Sequence, residues 1–215
     1  DPFDSLMLFI FFYMEMFMKK GMMTIVMFLT LYTFGEVSSN FTFSSNYFWR
    51  GMTQTMDSPA YSGGFDYSHE SGFYAGTWGS NVSFGGAGLE LDLYAGYAGE
   101  TESGIGYDFG YINYAYPEVD DADFSEMYGS LSYEGFGFTY YVGDEFGDYY
   151  EFSYGVGPVS FSYGDYEDTG SNYLIGYAFA LGGFDASVAY SSFMAESMTE
   201  MEDEDGLFFT IGASF

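Results

Sequence analysis

From residue 37 to residue 215, apolar side chains recur at every second position, in stretches of about ten residues. A two-residue period gives a strand one apolar face and one other face, whereas a helix repeats at 3.6 and no segment here sustains that spacing. The clearest stretch sets Leu89, Leu91, Leu93, Ala95 and Tyr97 against Glu90, Asp92, Tyr94 and Gly96. Eleven others can be marked, beginning with residues 37–49, where Phe41, Phe43, Ser45, Tyr47 and Trp49 share a face. Residues 60–69 carry Tyr61, Gly63, Phe65 and Tyr67. Residues 73–80 are ambiguous, because Tyr74 and Trp78 compete with Phe73 and Ala75 for the apolar face. The later ones are led by Ile105, Met127, Phe136, Tyr150, Val159, Tyr173, Phe184 and Leu207, which makes twelve strands.

The connections alternate too. Long ones fall at residues 50–59, 81–88, 117–125, 143–148, 164–172 and 192–206; short ones at 70–72, 98–104, 134–135, 155–158 and 182–183. Tilted strands of about ten residues, short turns at one end, long loops at the other and an even strand count are the pattern of a membrane barrel. The fold expected is therefore all-β: a transmembrane antiparallel up-and-down β-barrel of about twelve strands. A soluble sandwich has no reason to keep such a rhythm. The final stretch places Phe209, Ile211, Ala213 and Phe215 on its apolar face. It resembles the C-terminal assembly signal of bacterial outer-membrane barrels, and it is expected to pair with the strand starting at Val37 and close the sheet.

The first residues read differently. Met18-Lys19-Lys20 followed by an apolar run to Phe34, with small residues at Thr33 and Gly35, is the layout of a secretory signal peptide. Residues 1–17 read as an upstream extension, 18–35 as the signal peptide and 36–215 as the barrel. A membrane-spanning helix is the rival for residues 5–34. The chain carries 32 acids against 3 Lys and Arg, a net charge of −29. Such a chain repels phosphate, so nucleic acid is excluded as a partner. With no cysteine it has neither disulfides nor thiolate chemistry. Beyond the signal segment, Arg50 is the lone basic residue.

Opposite the apolar faces stand Asp66, Glu90, Asp92, Asp108, Glu126, Glu151 and Asp185, among many Gly, Ser and Thr. If the apolar faces meet lipid, these carboxylates line the barrel. One Arg cannot neutralise seven acids, and buried unpaired carboxylates are costly, so a wet interior is expected. Carboxylates along a pore favour cations. The alternative is a closed barrel whose acids take hydrogen bonds from Tyr and Ser. Twelve strands lie between the filled interior of eight and the open one of sixteen. Arg50, at the top of the first strand, reads either as a constriction residue facing those acids or as a pin for the first loop.

The remaining candidates read blandly. Loop acids cluster at Glu118, Asp120, Asp121 and Asp123, at Asp144, Glu145 and Asp148, at Asp165, Glu167 and Asp168, and at Glu200, Glu202, Asp203, Glu204 and Asp205. None has EF-hand spacing; they read as solvated loops, with weak cation bridging to lipopolysaccharide the alternative. His69, the single histidine, lies beside a tight turn and lacks the partners a hydrolase base needs. Neither zinc nor haem is supported, no cofactor is expected, and the chain does not read as an enzyme. The Gly-x-Gly pairs at 104–106, 135–137 and 155–157 lack the third glycine and the helix of a dinucleotide site.

One run carries a likeness. Asn46-Tyr47-Phe48-Trp49-Arg50-Gly51-Met52-Thr53-Gln54-Thr55 occurs with Gly63-Gly64-Phe65-Asp66-Tyr67, with residues 71–82 and with Glu90-Leu91-Asp92-Leu93-Tyr94-Ala95-Gly96-Tyr97. Together these resemble the TorF family, bacterial proteins assigned as porins and formerly of unknown function. The resemblance covers residues 37–116 closely and implies an outer-membrane pore with no catalytic residues. The scarcity of Lys and Arg departs from the family, which puts its ion preference in doubt here. The expectation is a passive outer-membrane porin of a Gram-negative bacterium, preferring cations. Its partners are membrane lipid, lipopolysaccharide, the barrel assembly machinery and small solutes. A non-conducting structural or adhesive barrel with acidic surface loops is the alternative.

Overall fold

Alternation of side chains about the strand plane is realised as one closed sheet. The computed structural model describes residues 35–143, 147–196 and 201–215. The upstream extension and nearly all of the expected signal peptide lie outside the described residues.

The strands are β1 (Gly35–Ser44), β2 (Phe48–Trp49), β3 (Met52–Thr53), β4 (Ala60–His69), β5 (Phe73–Phe84), β6 (Ala87–Glu100) and β7 (Gly106–Ala115). Then come β8 (Phe124–Tyr133), β9 (Phe136–Gly143), β10 (Tyr149–Val156), β11 (Val159–Tyr166), β12 (Gly170–Leu181), β13 (Phe184–Ala195) and β14 (Glu204–Ser214). Twelve of them close a barrel in the order β1-β14-β13-β12-β11-β10-β9-β8-β7-β6-β5-β4, and β2 pairs with β3 apart from it. The expected seam forms: β1 pairs antiparallel with β14, from Asn40 opposite Ser214 to Ser44 opposite Thr210. Ser39 and Phe215 exchange both backbone hydrogen bonds, at 3.0 and 2.8 Å.

The outer surface is apolar. Phe65, Leu93, Phe109, Met127, Phe152 and Ile175 stand exposed near strand centres. Tyr67, Tyr97, Tyr107, Tyr133 and Tyr154 lie toward the short-turn end, and Tyr61, Tyr111, Tyr140, Tyr150 and Tyr173 toward the long-loop end. Rings pair across strands, as Phe136 with Tyr154 at 4.4 Å and Phe138 with Phe152 at 4.8 Å. A continuous apolar band edged by tyrosine is what a strand exposes when its solvent is lipid rather than water.

Three details differ from the sequence reading. β1 ends at Ser44, so Tyr47 and Trp49 do not continue its outer face. The expected loop at 81–88 shrinks to residues 85–86, because β5 runs to Phe84 and β6 starts at Ala87. Gly85 and Gly86 both have positive φ, 57° and 94°, as a two-residue hairpin turn requires. The ambiguous third strand turns Phe73 outward, 43% exposed, and Tyr74 inward, where its hydroxyl donates to Asp108 at 2.6 Å.

Candidate functional site

Beyond β1 the chain folds a small hairpin into the bore. Trp49 pairs with Met52, leaving Arg50 and Gly51 as the two turn residues, with φ of 49° and 88°. Positive φ at both positions defines a primed turn, which glycine adopts freely at the second residue and which strains arginine at the first. Asn46 ties the base: its Oδ1 accepts from the Thr53 and Thr55 hydroxyls at 2.7 and 2.9 Å, and its Nδ2 donates to Asp57 at 2.8 Å. The Gln54 carbonyl in turn accepts from the Ser83 amide at 2.7 Å, which fastens the base to β5.

At the tip, the Arg50 guanidinium meets Glu126 of β8 through two parallel hydrogen bonds of 2.7 Å. The side chains are 6% and 1% exposed. The same guanidinium lies 4.0 Å from the Tyr149 ring centre, 4.4 Å from Trp49, 4.8 Å from Tyr141 and 4.9 Å from Tyr166. Planar, delocalised charge suits both contacts at once, and a lysine ammonium would not reproduce them. Burial alone would lower the Arg50 pKa; the hydrogen bonds and charge of Glu126 outweigh it and raise the pKa, so the side chain stays charged.

The hairpin touches nearly every wall. Tyr47 donates to Glu90 of β6 at 3.0 Å and sets its ring against Trp78 of β5 at 5.5 Å. Burial, and then the charges of Glu90 and Asp92, raise the Tyr47 pKa well above the usual phenol range, so it keeps its proton and remains a donor. Trp49 lies 6.0 Å from each of Tyr114, Phe124 and Tyr166. The Thr53 amide donates to Glu204 at 2.6 Å, and Phe48 packs on Phe208 at 5.3 Å. A Cβ at Gly51 would sit 2.8 Å from the Asn172 Cβ and 2.9 Å from the Phe193 Cβ, so only glycine lets the tip reach β12 and β13. Two buried clusters flank it, one built on Val82, Ala87, Tyr114, Tyr116 and Phe124, the other on Met52, Tyr149, Tyr166 and Phe193; Trp49 packs against both. Toward the loop end the bore is therefore packed, which corrects the expectation of a wet interior along its whole length.

The sequence-selected carboxylates divide by depth. Glu90, Asp92 and Glu126 are buried beside the hairpin, 2%, 5% and 1% exposed. Glu151 accepts from Tyr149 at 3.3 Å. Asp66 takes hydrogen bonds from Tyr94 and from Asn40, the latter at 3.3 Å. Asp108 holds Tyr74, whose hydroxyl also meets Tyr128. Asp185 lies apart, exposed near the turn end of β13. There the walls carry small side chains, with Ser187 bonded to Thr210 at 2.7 Å and Thr139 to Ser130 at 3.0 Å. At the loop end the acids hold backbone instead: Glu118 accepts from Gly88 at 2.6 Å, Asp123 from Tyr116 at 2.8 Å and Asp203 from Ala195 at 2.9 Å. Among the described residues no three acidic or histidine side chains converge as a metal site. His69 bonds Ser71 at 2.8 Å within its turn.

Sequence reasoning misses the aromatic partners. It puts Tyr47 and Trp49 on the outer face because they stay in phase with Phe41 and Phe43. The tandem pairs Tyr140-Tyr141 and Tyr149-Tyr150 are a usable signal, since adjacent strand residues point to opposite faces and one of each must face inward.

The model of a bacterial family of unknown function, Gcw_chp, matches residues 33–174. No curated protein matches the chain. Among solved structures, the fold is similar to an outer membrane channel of Pseudomonas putida F1 at TM-score 0.45 and 10% identity, covering 84% of this chain and 95% of that one. A variant of OccD1 (OprD) gives TM-score 0.37 and 13% identity over 85% of this chain and 66% of that one. OccAB4 of Acinetobacter baumannii gives 0.35 and 14% over 81% and 57%. The chain belongs to the Gcw_chp family.

Proposed function

We propose that this Gcw_chp member is an outer-membrane porin of a Gram-negative bacterium, passing small solutes passively with a preference for cations. The observation that carries the reading is the inversion of a soluble protein's surfaces: apolar and aromatic outside, carboxylate and hydroxyl inside. The likeness of residues 37–116 to the TorF porins supports the same reading. Arg50, Asp66, Glu90, Asp92, Asp108, Glu126, Glu151 and Asp185 are the pore-lining set. Carboxylates outnumber the single guanidinium along the bore, so anions are repelled. The hairpin of residues 47–55 is the constriction, and solute passes when it shifts from its seat. Lipid and lipopolysaccharide surround the barrel, the assembly machinery reads Phe209, Ile211, Ala213 and Phe215, and no reaction is catalysed. Residues 18–35 serve as the export signal.

Reversal potentials across a planar bilayer in a potassium chloride gradient test this directly. Cation-selective current is expected, and anion selectivity would sink the proposal. A second reading, a closed structural barrel, is favoured by the packed aromatic layer around Trp49. It requires that no current appear even after the Arg50–Glu126 contact is removed.

A further inference from the structure

Glu90 and Asp92 follow each other on the inner face of β6, and neither has a basic partner. Glu90 is 2% exposed and accepts hydrogen bonds from the Tyr47 and Tyr116 hydroxyls, which leaves its charge without a counter-charge. Asp92 is 5% exposed, and its Oδ1 is buried with no hydrogen-bond partner. The one cation among the described residues, Arg50, is engaged by Glu126. An unpaired buried carboxylate costs several kcal/mol, so the pair needs positive charge or protons.

The walls define what kind of charge fits. Trp78 stands directly opposite Asp92 on β5, and Tyr114 directly opposite on β7. Tyr47 closes against Trp78 from the hairpin. Divalent ions want six or more oxygen ligands in a cage, which two carboxylates and phenols do not supply. Aromatic faces, tryptophan above all, attract compact organic cations instead. The bore already holds one such arrangement: carboxylate plus rings around the Arg50 guanidinium, at 4.0 to 4.9 Å.

Resting on the channel reading, we infer that Glu90, Asp92, Trp78, Tyr47 and Tyr114 form a lumenal binding site for a small organic cation, an ammonium or guanidinium group. The bore is packed here while the hairpin is seated, so the solute enters when the hairpin lifts and is then held between Trp78 and Tyr114, against Asp92.

The test is calorimetric titration of guanidinium chloride and of methylammonium chloride into the full-length refolded protein in detergent, at constant ionic strength. Saturable binding at about millimolar concentration is expected, weakened about tenfold or more in the double variant E90Q/D92N and unchanged in E100Q. Heat-modifiable migration shows that the double variant has folded; removing two buried charges should if anything favour it. Absence of saturable binding in the wild type, undiminished binding in E90Q/D92N, equal displacement by sodium, or proton exchange without cation dependence each overturns the site. Bilayer currents recorded on the same preparation separate the two claims. Current without binding sinks the site alone, and binding without current sinks the channel alone.

Discussion

The two ends of the bore solve one problem in opposite ways. At the loop end, buried carboxylates are held by a guanidinium, by aromatic rings and by an inserted hairpin. At the turn end, Asp185 meets solvent and its neighbours Ser187 and Thr210 satisfy one another. The backbone is the same antiparallel ladder throughout, so the difference lies in what the chain inserts between the walls. Among the described residues no strand carries Lys or Arg, so the counter-charge for Glu126 is brought in by the inserted hairpin.

The sharpest way to break the contrast is Arg50→Ala, which leaves Glu126 buried without its partner. Loss of a buried pair's partner costs about 3–5 kcal/mol as an upper bound, since the hairpin can lift and admit water. A lower unfolding temperature and a larger single-channel conductance are expected; unchanged values of both would mean the pair holds nothing. Replacing both partners, as R50M/E126L, should restore much of the stability, which separates packing from charge.

Next comes Gly51→Ala. A side chain in the left-handed region costs about 1–2 kcal/mol, and here its Cβ also meets Asn172 and Phe193. Reduced protection of Trp49 from acrylamide quenching is the expected sign. Tyr47→Phe removes one donor from Glu90 and should cost about 1 kcal/mol of unfolding free energy, read from a lower denaturant midpoint at unchanged m. Smallest is Ser187→Ala at the turn end, expected within about 0.5 kcal/mol and without effect on conductance. A Ser187 effect as large as that of Tyr47 would erase the distinction between the ends.

The barrel is legible because an apolar outer face and a polar inner one leave a two-residue alternation on most strands, and Leu89 to Tyr97 shows it with almost no noise. The carboxylates can be placed indoors by the same parity. Their partners cannot be read. Tyr94 reaches Asp66 and Tyr74 reaches Asp108 only through the strand register, which no local pattern encodes. The hairpin is hidden by its own phase, because Tyr47 and Trp49 continue the beat of Phe41 and Phe43 after the chain has left the sheet. Arg50-Gly51 is the overlooked clue: a residue pair able to turn in two positions.

The seam between β1 and β14 joins Asn40 to Ser214, so the ring is complete only when segments far apart in sequence have met. The hairpin comes directly after β1, yet its seat is assembled from Trp78 on β5 through Phe208 on β14. It is synthesised early and can be seated only late. Its contacts reach the staves from β5 round to β14, so a seated hairpin records in one place that the ring has been assembled in register.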